Sequence, residues 1–126
     1  MGNPKESGII ILIEDEVYLR KLFLKILRQE NLNVLEAPNP MEGLKLIRET
    51  DWKVLLLDIM LPGQNGLQIL EEIQKNNLKK GKVVMLTNLD IESTIKTAFQ
   101  LGADGYLIKA SISPENLASE VRAFLD

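Results

Sequence analysis

The segment KVLLLDIMLPGQNG spans residues 53–66 and joins a short apolar run to an acidic residue and a loop. The run from Val54 to Leu57 is apolar on both faces, which is typical of a parallel strand that helices cover on both sides. Asp58 follows directly, and a proline and two glycines then mark a loop. The segment therefore predicts a central strand whose carboxyl end carries a carboxylate.

Three further apolar runs end in the same way, on a polar residue. The carboxyl ends of parallel strands share one edge of a sheet, so we expect these polar side chains to lie near one another. With the first run included, the four runs and the residues that follow them are Ile9 to Ile13 with Glu14 and Asp15, Val54 to Leu57 with Asp58, Val83 to Leu86 with Thr87, and Tyr106 to Ile108 with Lys109.

Amphipathic segments separate the strand-like runs. Over about residues 16–30, apolar residues recur at i, i+3, i+4, i+7 and i+8, which predicts a helix with one buried stripe. Tyr18 and Leu24 lie off this stripe, and we expect them to be exposed apolar residues. The stripe consists of Leu19, Leu22, Phe23, Ile26 and Leu27.

The rest of the chain continues the alternation. Asn39 before Pro40, and Ser113 before Pro114, each predict a helix N-cap with proline at the first helical position. Gly102 predicts a helix C-cap. The expected strands cover about residues 33–36, 53–57, 83–86 and 105–108, and the expected helices about 39–49, 67–76, 91–101 and 113–125.

This fivefold alternation predicts an α/β fold with a doubly wound, five-stranded parallel sheet. Among the common arrangements, the strand order 2-1-3-4-5 places strands 1 and 3 side by side at the switch point, where ligands bind. We therefore expect a flavodoxin-like three-layer sandwich. The chain has 126 residues, the length of one domain, and we expect a single domain over residues 1–126 with its core over about 9–125.

Composition excludes several classes of function. The net charge of −3 leaves no basic face for phosphate backbones, so we expect no direct binding to nucleic acid. The chain has no histidine, which removes histidine bases, the usual zinc ligands and a phosphohistidine. It has no cysteine, no apolar run of membrane-spanning length and no secretory signal over residues 1–8. We expect a cytoplasmic protein without membrane contact.

The expected cluster suits phosphoryl transfer with a divalent cation. Crowded carboxylates repel one another unless positive charge lies among them, and Mg²⁺ prefers oxygen ligands, including carboxylates and phosphate. A carboxylate can also act as the nucleophile toward a phosphoryl group, and Asp58 lies in the middle of the cluster. Taken singly, Glu14 and Asp15 could cap a helix, Thr87 could satisfy backbone groups, and Lys109 could be a solvated charge. Their joint placement favours the site.

Four segments closely resemble the receiver domains of two-component response regulators, in the order and at the spacings of that family. The resemblance implies that Asp58 accepts the phosphoryl group. It also implies that Glu14, Asp15, Asp58 and the backbone carbonyl of Met60 hold Mg²⁺. The segments are residues 11–16 (ILIEDE), 56–66 (LLDIMLPGQNG), 85–87 (MLT) and 102–109 (GADGYLIK).

The same resemblance implies the remaining roles. Thr87 and Lys109 contact the phosphoryl group, and Tyr106 is the aromatic switch residue. The implied protein is a signalling receiver that promotes only its own phosphorylation and dephosphorylation. A sensor histidine kinase or a phosphotransfer protein supplies the phosphoryl group, and an unknown protein binds the face of helix 4, strand 5 and helix 5. The start at Met1 favours a single-domain, chemotaxis-regulator-like protein over a fragment.

One position departs from the family pattern, and two other classes of function stay open. Receivers usually have proline after the lysine, where this chain has Ala110, so the Lys109–Ala110 bond is open between cis and trans. One alternative is a receiver-like interaction module that is never phosphorylated. The other is a phosphatase-type enzyme on a similar fold, although such an enzyme needs a second aspartate where Met60 stands.

Overall fold

The computed structural model describes residues 8–126, and the expectations for Met1 lie outside them. All five strands are parallel, and their order is β2-β1-β3-β4-β5, which confirms the predicted fold class. The elements are β1 Ile9–Ile13, α1 Val17–Gln29, β2 Asn33–Ala37, α2 Pro40–Glu49, β3 Trp52–Leu57, α3 Gly66–Lys75, β4 Lys82–Thr87, α4 Glu92–Gln100, β5 Gly105–Ile108, a 3₁₀ turn Lys109–Ser111, and α5 Pro114–Leu125.

Two apolar clusters cover the two faces of the sheet, because alternate side chains of a strand point to opposite faces. Leu55 and Leu57 of β3 belong to the cluster that contains the buried residues of α2, α3 and α4. Val54 and Leu56 belong to the cluster that contains those of α1 and α5. This is the expected three-layer sandwich, with β3 at its centre.

Side-chain caps set where the helices begin. The Asn39 carboxamide accepts a hydrogen bond from the Glu42 amide at 2.9 Å, and the Ser113 hydroxyl accepts one from the Asn116 amide at 3.2 Å. Both predicted N-caps are therefore present. Gly102 follows α4 with φ +105°, a conformation that glycine adopts without strain.

The expectation for Leu24 was wrong, because this side chain is only 5% exposed. It packs in the same cluster as Leu32 and Val34, since α1 covers β2 as well as the centre of the sheet. The apolar surface of α1 is therefore wider than its main stripe. Tyr18 is 71% exposed, as expected. Among residues 8–126, no helix is long and apolar enough to cross a membrane.

Candidate functional site

Three carboxylates meet at the carboxyl edge of the sheet. Ile13, the last residue of β1, pairs with Leu57, the last residue of β3, so the residues that follow them lie side by side. One oxygen each of Glu14, Asp15 and Asp58 lies within 4.8 Å of the others. Glu14 and Asp58 are 1% and 5% exposed. Buried carboxylates at this spacing require positive charge nearby.

Lys109 supplies positive charge to two of these carboxylates. Its Nζ lies 2.6 Å from Asp58 Oδ2 and 2.5 Å from Glu14 Oε1, and its side chain is only 8% exposed. Burial by itself lowers the pKa of Lys109, but the hydrogen bonds and charges of Asp58 and Glu14 outweigh burial and raise the pKa overall. The ammonium is therefore retained as the counter-ion of the cluster.

Glu14 is less well compensated than the lysine. Burial raises the pKa of Glu14 more than the nearby Lys109 ammonium and the Glu16 amide lower it. The negative charge of Asp58 adds to this rise, because both carboxylates face the single Lys109 ammonium. Among the described residues, Glu14 Oε1 has the Lys109 ammonium 2.5 Å away, a close charged contact that falls short of ideal hydrogen-bond geometry.

These features fit a hard divalent cation. The donor set consists of carboxylate oxygens, which Mg²⁺ prefers, and within residues 8–126 the buried Glu14 Oε1 makes no well-formed hydrogen bond, its close neighbour being the Lys109 ammonium. Met60 lies beside the cluster, because its amide donates a hydrogen bond to Asp58 Oδ1 at 3.2 Å. Met60 is 63% exposed, and its contact with the Asp58 carboxylate is made by the backbone amide.

Thr87 and Tyr106 meet at Leu89, in the loop after β4. The buried Thr87 hydroxyl accepts a hydrogen bond from the Leu89 amide at 3.4 Å. The Tyr106 hydroxyl donates one to the Leu89 carbonyl at 2.5 Å. Within residues 8–126, Thr87 makes no hydrogen bond to Asp58 or Lys109. The structure thus joins Thr87, the predicted phosphoryl contact, to Tyr106, the predicted switch residue, through one loop residue.

The loop after Lys109 differs from the family pattern in a definite way. No cis peptide bond occurs among residues 8–126, so the Lys109–Ala110 bond is trans. The Ala110 amide, which a proline would lack, donates a hydrogen bond to Asn88 Oδ1 at 2.9 Å. Asn88 directly follows Thr87, and the loops that carry Thr87 and Lys109 are therefore bonded to each other.

Sequence reasoning missed two residues that support the site. A Cβ atom on Gly66 would lie 2.1 Å from the Asp58 carbonyl oxygen, so only glycine allows α3 to begin this close to Asp58. Arg20 donates hydrogen bonds to the carbonyls of Glu14 and Asp15. A glycine beside a helix cap was a signal for Gly66. For Arg20 there was no such signal in the sequence, because a polar residue is ordinary on an amphipathic helix.

Comparison with known proteins assigns the chain to a family. A model described as the response regulator receiver domain matches residues 10–122. The transcriptional regulatory protein SrrA of Staphylococcus aureus is 32% identical over 119 residues, which cover 94% of this chain and 48% of SrrA. The chain therefore spans about half the length of the curated relatives it matches.

Solved structures agree with this match. A CheY-like receiver domain protein from Methanospirillum hungatei has a TM-score of 0.86 at 27% identity, with 94% of each chain covered. A DNA-binding response regulator of the LuxR family from Staphylococcus aureus has a TM-score of 0.85 at 28% identity, with 94% of this chain and 98% of that chain covered. With the sheet order and the acidic edge already established, the chain belongs to the response regulator receiver domains, which are signalling modules of two-component systems.

Proposed function

We propose that the chain is switched by phosphorylation of Asp58 in the presence of Mg²⁺. The observation that carries this proposal is the buried Asp58 carboxylate, held between the Met60 amide and the Lys109 ammonium within an acidic cluster. A carboxylate that served only the fold would gain little from two further carboxylates beside it. The fold requires the strands, but it does not require three carboxylates to lie together at their ends.

The chemistry follows from the positions of these groups. An oxygen of Asp58 attacks the phosphorus of a phosphohistidine on the donor protein, and the P–N bond breaks with its electron pair left on the imidazole. Lys109, which is 2.6 Å from Asp58 Oδ2, stays close enough to neutralise the new phosphoryl oxygens. Glu14, Asp15, Asp58 and the Met60 carbonyl would hold Mg²⁺, which neutralises charge on the transferred group when bound.

The donor is a sensor histidine kinase or a phosphotransfer protein, as for receiver domains in general. An apolar cavity of about 210 Å³ lies between α1 and the loop before α5, and Lys109 forms part of its wall. Leu22, Ile26 and Ala110 also line it. A helical donor packed against this cavity would approach the carboxyl edge of the sheet.

The output partner is a protein that binds the face formed by α4, β5 and α5. Ile91 and Phe99 at α4 are 50% and 45% exposed, and exposed apolar side chains of this size favour a protein contact. SrrA is a transcriptional regulatory protein, but the net charge of −3 of this chain favours a protein partner over nucleic acid. The cytoplasmic location stays a prediction.

Acetyl phosphate tests the proposal without the donor protein. Incubation with acetyl phosphate and Mg²⁺ should add one phosphoryl group by intact mass, and a chelator should prevent it. Asp58→Asn should abolish the addition. Asp51→Asn is the matched control, because Asp51 is an exposed aspartate just before β3, whereas Asp58 directly follows it. No addition to the wild type would favour the unphosphorylated interaction module, and equal labelling of both variants would refute the assignment of Asp58.

A further inference from the structure

Arg20 holds the loop that carries Glu14 and Asp15. Its Nη1 donates a hydrogen bond to the Glu14 carbonyl at 2.9 Å and a longer one to the Asp15 carbonyl at 3.5 Å. Its Nε donates to Glu36 Oε1 on β2 at 3.0 Å. The Arg20 side chain is only 12% exposed. One guanidinium therefore ties α1, the acidic loop and the neighbouring strand together.

The acidic loop has few other restraints at Asp15. The Glu14 amide continues the sheet by donating to the Ala37 carbonyl at 3.1 Å. Within residues 8–126, the Asp15 carboxylate makes no hydrogen bond and no ion pair. Its position relative to Asp58 therefore depends on the backbone of the loop. Arg20 holds this backbone at the Glu14 and Asp15 carbonyls, and Glu14 Oε2 accepts a hydrogen bond from the Glu16 amide at 3.1 Å.

Charge and shape make arginine suited to this position. An unpaired cation so near the cluster would compete with a metal ion, but Glu36 neutralises Arg20 at 3.0 Å on the side away from the carbonyls. The planar fork of arginine can serve a carbonyl pair and a carboxylate at once, which a lysine ammonium cannot do with the same geometry.

We propose that Arg20, neutralised by Glu36, is a positioning residue for the cation site, which it serves by fixing the backbone of Glu14 and Asp15. This inference rests on the proposed function, since the cation it concerns is the Mg²⁺ of phosphoryl transfer. Groups that orient metal ligands commonly affect metal affinity by 10-fold to 100-fold when they are changed. For Arg20 we expect a loss of metal affinity near the tenfold end of this range, because Arg20 acts through the backbone of the ligands.

Arg28 provides a matched control on the same helix. It donates a hydrogen bond to the Val34 carbonyl of β2 at 2.7 Å, the same kind of contact but near the other end of the sheet. Arg28→Lys should disturb one contact between α1 and β2 without changing the cation site, and it should lower Tm by less than Arg20→Lys, because Arg28 is exposed and makes a single such bond. Both substitutions keep the charge, so a difference between them reports the geometry of the acidic loop.

The first measurement is the Kd of MgCl₂, from amide shifts in an NMR titration without phosphodonor. Trp52 fluorescence is less suitable, because Trp52 is buried at the far end of β3. Arg20→Lys should raise the Kd about tenfold, while Arg28→Lys should leave it within about twofold. Glu36→Gln, which keeps Arg20, should raise the Kd by a smaller factor.

The second measurement is the Mg²⁺ dependence of the acetyl phosphate reaction. Arg20→Lys should need more Mg²⁺ to reach half its maximal rate, and its rate at saturating Mg²⁺ should equal that of the wild type.

The outcomes separate this inference from the proposed function. If the wild type binds Mg²⁺ and is phosphorylated, but both Arg20→Lys and Glu36→Gln retain its Kd, the role of Arg20 is refuted and the proposed function stands. Equal losses in Arg20→Lys and Arg28→Lys would show a general effect of stability and also refute it. If Arg20→Lys does not fold, Glu36→Gln decides the result. Failure of the wild type to bind Mg²⁺ overturns both proposals.

Discussion

At the scale of single residues, the balance of charge around Lys109 explains how an acidic cluster survives in a buried place. The ammonium lies between Glu14 and Asp58, and both carboxylates are almost fully buried. A buried ion pair adds little net stability, yet removal of one partner is costly because the other charge is left uncompensated. The Lys109 ammonium thus neutralises the same carboxylates that a bound cation would neutralise.

Substitution of Lys109 by methionine should expose this competition. Lys109→Met should lower the free energy of unfolding by about 3 kcal/mol in the absence of Mg²⁺, because two buried carboxylates lose their counter-ion. Mg²⁺ should then stabilise the variant more than it stabilises the wild type, since it binds the folded state without a competing ammonium. Urea unfolding with and without MgCl₂ measures both effects. Lys96→Met, on the exposed surface of α4, is the control, and an equal effect of Mg²⁺ on Lys109→Met and the wild type would contradict the prediction.

The Tyr106 phenol should leave a signature at alkaline pH. Burial, with smaller effects of Asp90 and Asp58, raises the pKa of Tyr106 in the folded protein. A raised pKa means that the stabilising contribution is complete below the pKa of the unfolded state and is lost as pH rises through the pKa of the folded state. The free energy of unfolding should therefore fall as pH rises above about 10, the ordinary pKa of tyrosine, and Tyr106→Phe should remove this part of the fall. Tyr18→Phe, which changes an exposed phenol, is the control, and parallel profiles for Tyr106→Phe and the wild type would refute the prediction.

At the scale of elements, the strands and helices could be predicted because their signals are local. Apolar runs such as Val54 to Leu57 mark buried strands, and Asn39 and Ser113 mark helix starts. The carboxyl-edge cluster was also predictable, since strand order brings the ends of β1 and β3 together. The burial of Leu24 could not be predicted, because the lateral contact between α1 and β2 has no period in the sequence.

Contacts between loops were the least predictable part of the site. The resemblance implied separate roles for Thr87 and Tyr106, and their common partner Leu89 emerges only from the folded chain. Asn88 and Ala110 are 22 residues apart, and their hydrogen bond joins two loops that sequence reasoning treated separately. Such contacts depend on the exact path of two backbones, which no single segment specifies.

The bond between the β4–α4 and β5–α5 loops can be tested at Asn88. Asn88→Ala removes the acceptor of the Ala110 amide and should cost about 0.5 to 1 kcal/mol of stability. Hydrogen exchange of the Ala110 amide, followed by NMR, should become faster because the amide loses its partner. Asn88→Asp keeps an acceptor oxygen at the same place and should preserve the protection. Unchanged exchange in Asn88→Ala would show that this bond does not hold the loop in solution.

At the scale of the whole molecule, the proposal assigns the input to the surface between α1 and the loop before α5, and the output to the β5 edge, where α4 and α5 lie on opposite faces of the sheet. Helices α1 and α5 cover one face, and α2, α3 and α4 cover the other. The acidic cluster lies at the edge where both layers end. A change at Asp58 that moves the Thr87 hydroxyl can reach Tyr106 on β5, because Thr87 and Tyr106 both bind Leu89 in the loop between β4 and α4. Contacts of this kind transmit a signal only if the loop has two arrangements and the sites at the two ends shift the balance between them.

Beryllofluoride, which mimics a phosphoryl group on an aspartate, should show whether that path operates. New acceptor oxygens on Asp58 should attract the Thr87 hydroxyl, release the Leu89 amide and alter the loop that binds the Tyr106 hydroxyl. In the wild type, NMR shifts should therefore extend beyond the pocket to Ile95, Phe99 and Tyr106.

The matched threonine variants decide the role of the Thr87 hydroxyl in that response. Thr87→Ala should still bind beryllofluoride, but its shifts should stay near Asp58, because the group that links the phosphoryl oxygens to Leu89 is gone. In Thr97→Ala the lost hydroxyl binds only the Ser93 carbonyl within α4, at 2.9 Å, and the distant shifts should persist. Wild-type shifts confined to the pocket would mean that this chain lacks the switch. Distant shifts that persist in Thr87→Ala would mean that the signal leaves Asp58 by another route, with Lys109 and its loop the next candidate.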